Sequence, residues 1–210
     1  MARILITSGP TRQYLDPIRY LSNASSGRMG SALAAAVLAA GHEAVVVSGP
    51  VDVDYPSDAE LVRIESTEEL RDACLAIFPT CDGLIAAAAP CDYRPVEVAS
   101  HKIAKNGQSM TVELVETPDV VASLAADKQS RWVVAFALET HDQHARALKK
   151  LRRKQCDLIV VNGSEAIDSP ETSVEVLNPE GTVLATITGN KADVAKELIG
   201  VISARLMGLQ

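Results

Sequence analysis

The chain has 210 residues, of which 47% are hydrophobic and 22% charged, so its composition is that of a folded globular protein and excludes a disordered or fibrous one. Its net charge of -7 and pI of 5.1 argue against DNA or RNA as a partner. The most apolar run, residues 32–40, has about half the length of a membrane helix, so no membrane association is expected. Four cysteines without zinc-ligand spacing indicate reduced thiols and a cytoplasmic protein. The length favours one domain over residues 1–210.

From residue 3 onward, short β-rich runs alternate with stretches of helical period. This alternation predicts an α/β, Rossmann-like fold in which helices flank a mostly parallel sheet. Six strands are predicted, and most of them are continuous apolar runs suited to burial on both sheet faces. They lie at residues 3–7, 43–47, 60–64, 83–87, 132–136 and 157–161.

Several helix starts can be recognised from capping residues. Ser66 and Glu69 form a capping box, which predicts a helix directly after them. Thr117 and Pro118 predict a second start, with the threonine as cap and the proline in the first turn. A third helix is predicted over residues 141–154. Beyond it, a C-terminal β-hairpin is predicted, with strands at residues 174–177 and 182–188. A final helix is predicted after the hairpin, up to residue 206.

The connection after the first strand is unusually long, because the first long helix cannot begin before about Ser25. Ordinary strand-to-helix loops have about 2–6 residues. The intervening residues 8–24 follow the carboxyl end of the strand, where open α/β sheets bind ligands. Their polar side chains are Thr11, Arg12, Tyr14, Asp16, Arg19, Tyr20 and Asn23. A long polar loop at this place predicts a functional segment.

The first long helix opens with Ser25-Ser26-Gly27-Arg28-Met29-Gly30. Serine hydroxyls, backbone N–H groups and glycines that permit close approach are the components of a phosphate site at a helix start. Simple helix capping is the alternative. A nicotinamide site would need Gly-x-Gly-x-x-Gly and an acidic residue ending the second strand, which here ends Val47-Ser48-Gly49-Pro50.

Other catalytic signatures fail on inspection. The chain has no Gly-Lys pair for a P-loop, no Gly-x-Ser-x-Gly for a nucleophile elbow and no Tyr-x-x-x-Lys for a short-chain dehydrogenase. His141 and His144 are three residues apart, a spacing more typical of a solvated helix face than of a metal pair. We therefore predict no metal-binding residue.

Two further segments follow predicted strands. The small side chains of residues 86–89 lead to Asp92, and they would let a ligand lie against the backbone. Lys102 and Lys105 precede Asn106-Gly107, which is typical of a mobile loop, and such a loop could bring both lysines to the phosphates of a ligand. The alternative is that both lysines are simply solvated, as most loop lysines are.

In order and spacing, these segments resemble phosphopantothenoylcysteine synthetase from residue 3 to about residue 162. The segments that carry the resemblance are Gly9-Pro10-Thr11-Arg12, Asp16-Pro17-Ile18-Arg19, Ser22-Asn23-Ala24-Ser25-Ser26-Gly27-Arg28-Met29-Gly30, Ala88 with Asp92-Tyr93-Arg94, Lys102-Ile103-Ala104-Lys105, and Phe136-Ala137-Leu138-Glu139-Thr140. In bacteria this synthetase is often fused behind a flavin-dependent decarboxylase, and the chain resembles the synthetase half alone.

The resemblance implies a ligase of coenzyme A biosynthesis that joins 4'-phosphopantothenate to L-cysteine. It implies CTP or ATP as co-substrate, together with Mg²⁺. In the family, the substrate carboxylate attacks the α-phosphate of the nucleotide and releases pyrophosphate, and the cysteine amine then opens the acyl nucleotidylate. A separate phosphopantothenoylcysteine decarboxylase is a further expected partner.

The resemblance also implies residue roles. The positions that match the nucleotide-binding residues are Gly9, Ser25, Gly27 and Gly30 for the phosphates and Phe136 and Asn162 for the base or ribose. Lys102 matches the loop lysine of the first half-reaction, and Asn23 matches the asparagine of the second, where its amide can donate to the developing oxyanion. The substrate-binding positions are Ala88, Ala89, Asp92 and Arg19. In the family the arginine comes from a neighbouring subunit, which implies a homodimer with shared active sites.

The chain departs from the family pattern at three places. The usual Lys-x-Lys-Lys has Ala104 at its third position, Pro90-Cys91 replaces Val-Ala, and Gly163 follows Asn162 in place of an aspartate. Three hypotheses therefore stand: an active synthetase, a non-catalytic nucleotide- or pantothenate-binding relative of the same fold and, more distantly, a nicotinamide-dependent oxidoreductase.

Overall fold

The computed structural model describes residues 1–139, 142–163 and 171–208. Their main feature is an eight-stranded sheet whose strands are β1 Arg3–Ser8, β4 Glu43–Ser48, β5 Glu60–Arg63, β6 Gly83–Ala86, β9 Trp132–Glu139, β10 Leu158–Gly163, β11 Glu171–Leu177 and β12 Val183–Asn190. Two small antiparallel hairpins lie outside it, formed by β2 Arg12–Tyr14 with β3 Tyr20–Ser22 and by β7 Tyr93–Pro95 with β8 Leu114–Glu116.

The strand order is β12-β11-β10-β9-β6-β1-β4-β5. The six strands from β10 to β5 are parallel, whereas β11 and β12 are antiparallel. Read along the chain, the parallel strands follow the doubly wound nucleotide-binding order, with the reversal between β1 and β6. The predicted Rossmann-like sheet and C-terminal hairpin are confirmed.

The core lies on both faces of this sheet, because successive side chains of each buried strand point to opposite sides. On one face, Leu5 and Val133 pack with the helices α2 Thr67–Ile77, α3 Val120–Ala125 and α4 Gln143–Arg153. On the other face, Ile6 and Val134 pack with α1 Arg28–Ala39 and α5 Lys191–Ile202. A π-helical turn, Ser203–Met207, follows α5.

The helix starts agree with the sequence in part. Ser66 caps α2 by accepting the N–H of Glu69, as predicted. The cap of α3 is Asp119, which accepts the N–H of Ala122, so the prediction of Thr117 as cap and of a first-turn proline is wrong. The Thr117 hydroxyl instead donates to the carbonyl oxygen of Cys91 at 2.6 Å. The predicted start of the third helix, residue 141, lies outside the described residues.

The strand bounds also differ in two places that concern the site. The strand predicted over residues 157–161 is β10, which continues to Gly163 and so includes Asn162. The strand predicted to end at residue 136 continues to Glu139, because β9 stays paired with β10 from Val134 to Glu139. Phe136 therefore lies within the strand rather than at its end.

Candidate active site

The carboxyl end of β1 and the start of α1 form a cradle of close backbone contacts. Gly9 and Gly27 have φ of 74° and 75°, a conformation that favours glycine. An added Cβ at either position would come within 2.8–2.9 Å of Val51. A Cβ at Gly30 would overlap the Ser8 side chain, so the first turn of α1 lies directly on the end of β1. The structure brings together the three predicted phosphate-binding glycines.

The N-terminus of α1 has no side-chain cap. Gly27 is the N-cap residue, and the helical hydrogen bonds begin with the N–H of Ser31 donating to the Gly27 carbonyl at 3.0 Å. Ser25 lies two residues before this cap, with its own N–H bonded to the carbonyl of Asn23. Helix capping by a serine is therefore wrong as an interpretation, and the first-turn N–H groups lack a side-chain acceptor of the kind that caps supply. Such a helix start can receive an anion.

A hydroxyl network beneath the cradle was not found from the sequence. Tyr55 Oη lies 2.8 Å from both Ser8 Oγ and Ser48 Oγ, and Ser8 Oγ donates to the Gly27 carbonyl at 3.2 Å. The network joins the ends of β1 and β4 to the helix start. Because β4 ends in buried Ser48 rather than in a carboxylate, this end also lacks the acidic group expected of a nicotinamide site.

Beyond β6 the chain continues alongside β1. The N–H groups of Ala87 and Ala89 donate to the carbonyls of Thr7 and Gly9 at 3.1 and 2.9 Å. Asn23 lies over this segment, with its Nδ2 at 3.2 Å from the Ala89 carbonyl and 2.8 Å from that of Pro90. The residue predicted for the second half-reaction thus contacts the predicted pantothenate segment.

Pro90-Cys91, a departure from the family pattern, is held by buried hydrogen bonds. The N–H of Cys91 donates to Thr11 Oγ1 at 2.8 Å, and its thiol donates to the Thr11 and Leu21 carbonyls. Desolvation raises the pKa of the Cys91 thiol, which opposes its use as a nucleophile. The substitution is therefore accommodated in the loop, and the neighbouring Asp92 remains exposed.

Phe136 and Asn162 lie on one face of the sheet. Phe136 pairs with Val160, and Asn162 pairs with Leu138, so alternation places both predicted base contacts on the α1 side, where the cradle is. Asn162 Oδ1 is buried without a hydrogen-bond partner in the described part of the chain. Leu138, its neighbour, is 46% exposed and was not predicted as a site residue. A buried acceptor without a partner among the described residues, next to an exposed leucine, offers a hydrogen-bond acceptor to a ligand.

The loop that carries Lys102 and Lys105, here called the lysine loop, spans residues 96–113 and connects β7 to β8. Lys102 is exposed, whereas the backbone of the next residue, Ile103, is bonded on both sides to the β2–β3 turn. Arg19 supplies one of these bonds, with Nη2 donating to the Ile103 carbonyl at 2.7 Å. The structure therefore places the predicted arginine next to the lysine loop.

No group of three or more His, Cys, Asp and Glu side chains within the described ranges is placed to hold a metal ion. Of the two histidines considered from the sequence as a metal pair, His141 lies outside those ranges. The other, His144, contacts Glu175 through its Nε2 atom. In the same ranges, every helix is too short or too polar to span a membrane.

Comparison with known proteins gives the family. The sequence profile described as "DNA/pantothenate metabolism flavoprotein C-terminal domain" matches residues 1–206. The chain belongs to this family.

Curated members of the family are similar over most of the chain. The coenzyme A biosynthesis bifunctional protein CoaBC of Vibrio vulnificus strain YJ016 is 37% identical over 98% of the chain and 52% of that protein. CoaBC of Bacillus subtilis strain 168 is 36% identical over 96% of the chain and 51% of that protein. The chain spans about half the length of these curated relatives.

A solved member has the same fold. The crystal structure of the C-terminal domain of a coenzyme A biosynthesis bifunctional protein CoaBC superposes with a TM-score of 0.84 at 33% identity, covering 99% of this chain and 96% of that one. The superposition covers almost the whole chain, including the doubly wound sheet and the C-terminal strands β11 and β12.

Proposed function

We propose that this flavoprotein C-terminal domain is a phosphopantothenate–cysteine ligase of coenzyme A biosynthesis. In the first half-reaction, a carboxylate oxygen of 4'-phosphopantothenate attacks the α-phosphorus of a nucleoside triphosphate, and pyrophosphate leaves. In the second, the cysteine amine attacks the acyl carbon, loses a proton and expels the nucleoside monophosphate. The single observation that carries the proposal is the position of Asn23, at 2.8–3.2 Å from the carbonyls of Pro90 and Ala89 and four residues before the helix start at Gly27.

The nucleotide phosphates fit the cradle of Gly9, Gly27 and Gly30, because an uncapped helix start favours anions. On the same sheet face, Asn162 Oδ1 accepts no hydrogen bond from the described residues. It can accept from the exocyclic amine that cytosine and adenine both carry, so we propose CTP or ATP as co-substrate and expect UTP to be poor. The described residues offer no carboxylate cage, and we propose that Mg²⁺ is held by the phosphates of the nucleotide.

Lys102 is the cation proposed to act on the first half-reaction. Lys102 is exposed and directly precedes Ile103, whose backbone is bonded to the β2–β3 turn, so the lysine's backbone is held in place while its ammonium group lies in solvent, available to a bound triphosphate. A cation there offsets the charge that develops as pyrophosphate leaves.

Asn23 is proposed to act in the second half-reaction. Both of its amide N–H groups are engaged by backbone carbonyls, so donation to the developing oxyanion requires it to release one of them. The position permits this release, since Asn23 is exposed and its bonds are to a loop rather than to a strand.

A homodimer with shared sites is proposed from the surface of the two small hairpins. Most of the large hydrophobic side chains that are exposed among the described residues lie there: Ile18, Tyr20, Tyr93, Val96, Val98, Met110, Leu114 and Val115. An apolar patch on packed hairpins is typical of an interface. Arg19 lies next to Ile18 in this patch, which fits the proposal that it contacts the substrate phosphate bound to the neighbouring subunit.

The alternative is a relative that binds nucleotide or pantothenate without turnover. Ala104 favours it, because one cation of the family loop is missing. The buried hydrogen bonds of Cys91 to Thr11 argue against it, because they hold the segment of residues 88–92, which is proposed to bind pantothenate, in an ordered conformation. We propose a cytoplasmic enzyme on the basis of its reduced thiols, with the decarboxylase step supplied by a separate protein.

The test is product formation. Purified protein with Mg²⁺, 4'-phosphopantothenate, L-cysteine and either CTP or ATP should yield the mass of phosphopantothenoylcysteine, and omission of any one organic component should abolish it. Nucleotide binding without product would establish the non-catalytic relative instead.

A further inference from the structure

The turn between β2 and β3 contains a carboxylate with no solvent-exposed surface. Asp16 Oδ1 accepts the N–H groups of Ile18 and Arg19, both at 2.9 Å, and so closes the turn. Its second oxygen, Oδ2, accepts the N–H of Ile103 at 3.1 Å, from a residue 87 positions later. One side chain thus bonds both the turn and the lysine loop.

Two further bonds connect the same two segments. Arg19 donates to the Ile103 carbonyl at 2.7 Å, while its Nε lies 3.6 Å from Asp16 Oδ2. The N–H of Ala99 donates to the Leu15 carbonyl at 3.0 Å. Both backbone polar groups of Ile103 are therefore bonded to the turn, and Ile103 directly follows Lys102.

Closing a turn does not require this arrangement. A turn of this kind needs one side-chain oxygen, which Asn or Ser also supplies. Closing the turn therefore explains neither the second carboxylate oxygen of Asp16 nor its buried negative charge. A buried carboxylate is costly unless both of its oxygens are hydrogen-bonded. Burial alone would raise the pKa of Asp16, but the three backbone N–H groups, with help from Arg19, lower it below the usual range. The charge is thus stabilised by the bonds that join the two segments.

We propose that Asp16 is a positioning residue that holds the lysine loop against the β2–β3 turn and so sets where Lys102 meets the nucleotide. This inference rests on the proposed function, since it takes Lys102 to act in the first half-reaction. Because Asp16 has no exposed surface, we do not expect it to contact substrate or nucleotide itself.

Asp16→Asn separates the two tasks of the side chain. Its amide oxygen can still close the turn at Ile18 and Arg19, whereas its amide nitrogen would face the N–H of Ile103, donor against donor. We expect pyrophosphate release to fall roughly ten- to hundredfold, mainly in kcat, because a misplaced catalytic group loses about that much. The matched control is Asp157→Asn, because Asp157 also accepts a backbone N–H and pairs with a lysine, but at the amino-terminal end of the sheet. It should leave pyrophosphate release within about twofold of the parent.

The decisive measurement is a double-mutant cycle with Lys102→Gln. If Asp16 acts by placing Lys102, Asp16→Asn should cost little or nothing once the lysine is gone. An equal loss in both backgrounds would show general damage and would overturn the proposal. Should Asp16→Asn fail to fold, Ile103→Pro removes the same hydrogen bond from the loop side and takes its place in the cycle.

Hydrogen exchange of the Ile103 amide tests the bond between Asp16 and the lysine loop independently of whether the protein is a ligase. If the parent protein releases no pyrophosphate, the proposed function fails, and the tether is then judged by exchange alone. Faster exchange at residue 103 in Asp16→Asn, but not in Asp157→Asn, would support the tether. Unchanged exchange would overturn it.

Discussion

Asn23 Nδ2 lies 2.8 Å from the carbonyl oxygen of Pro90, so the segment before α1 is bonded to the segment that follows β6. These two segments flank the reversal of strand order between β1 and β6, where doubly wound sheets bind ligands. The contact brings the proposed machinery of the second half-reaction onto the proposed pantothenate segment, and it makes Asn23 the most informative residue to change.

Asn23→Asp should separate the two half-reactions. The aspartate places an oxygen against the Ala89 and Pro90 carbonyls and removes the amide donor, so we expect the cysteine adduct to fall by roughly hundredfold while pyrophosphate release continues. Mass spectrometry with and without L-cysteine measures both. Asn178→Asp is the control, because its side-chain oxygen accepts the N–H of Thr182 in the β11–β12 turn and an aspartate oxygen can do the same. A normal yield of adduct from Asn23→Asp would refute the role given to Asn23.

Lys102→Gln should depress the first step instead. Removal of the ammonium group is expected to slow pyrophosphate release by roughly hundredfold, whereas Lys105→Gln, on the same loop, should cost less than tenfold. Ala104→Lys should lower the KM for the nucleotide, because it restores a cation near the phosphates. Unaltered release from Lys102→Gln, or equal losses from both lysine variants, would contradict the assignment.

Gly30→Ala should destabilise the protein by about 1–3 kcal/mol, since the new Cβ overlaps the Ser8 side chain and forces α1 away from β1. Gly200→Ala is the matched control, because this glycine lies in α5 with nothing within 4 Å of an added Cβ. There we expect a gain of ~0.5–1 kcal/mol from helix propensity. Urea unfolding of both variants measures the difference, and similar midpoints would contradict the close contact between helix and strand.

The stability contributed by Asp119 should depend on pH. Desolvation would raise the pKa of this carboxyl, but the hydrogen bond from Lys154, the N–H of Ala122 and the nearby Arg153 lower it overall. Because the folded-state pKa is depressed, the stabilisation is present above the unfolded value of about 3.9 and is lost as the pH falls through the folded value. Asp119→Asn keeps the cap and should cost ~0.5–1 kcal/mol at neutral pH, shrinking below pH of about 4.

Unfolding midpoints across this pH range provide the measurement, with Asp127→Asn as control. Asp127 is an exposed aspartate just beyond the same helix. A pH-independent cost for Asp119→Asn would show that the ion pairs contribute nothing.

The central strands β1, β4 and β6 could be predicted because they are apolar runs buried on both faces, and their alternation with helices implied the parallel sheet. The edge strand β5 is mostly exposed and was found from this alternation alone. The hairpins of β2–β3 and β7–β8 could not be predicted, since each of their strands has three residues, too few for a pattern of polar and apolar side chains to be recognised. The cap of α3 was misassigned because Thr117 and Asp119 are both good caps in sequence. Only the tertiary bond from Thr117 to the Cys91 carbonyl decides between them.

For the site, the glycines and serines before α1 identified the cradle, but not what completes it. Tyr55 and Val51 come from the β4–β5 connection and have no motif of their own. The bond from Asp16 to Ile103 joins positions 87 residues apart, which no local pattern shows. Leu138 could not be found from the sequence, because an exposed leucine is informative only beside the Asn162 Oδ1 atom, which has no partner among the described residues.

Pyrophosphate release from the parent protein tests the central claim most directly. The protein should be incubated with Mg²⁺ and 4'-phosphopantothenate, with CTP and ATP in parallel and without L-cysteine. We predict release that depends on phosphopantothenate, followed by the mass of phosphopantothenoylcysteine once cysteine is added. No release with either nucleotide, from protein that still binds one of them, would contradict the ligase and leave the non-catalytic relative.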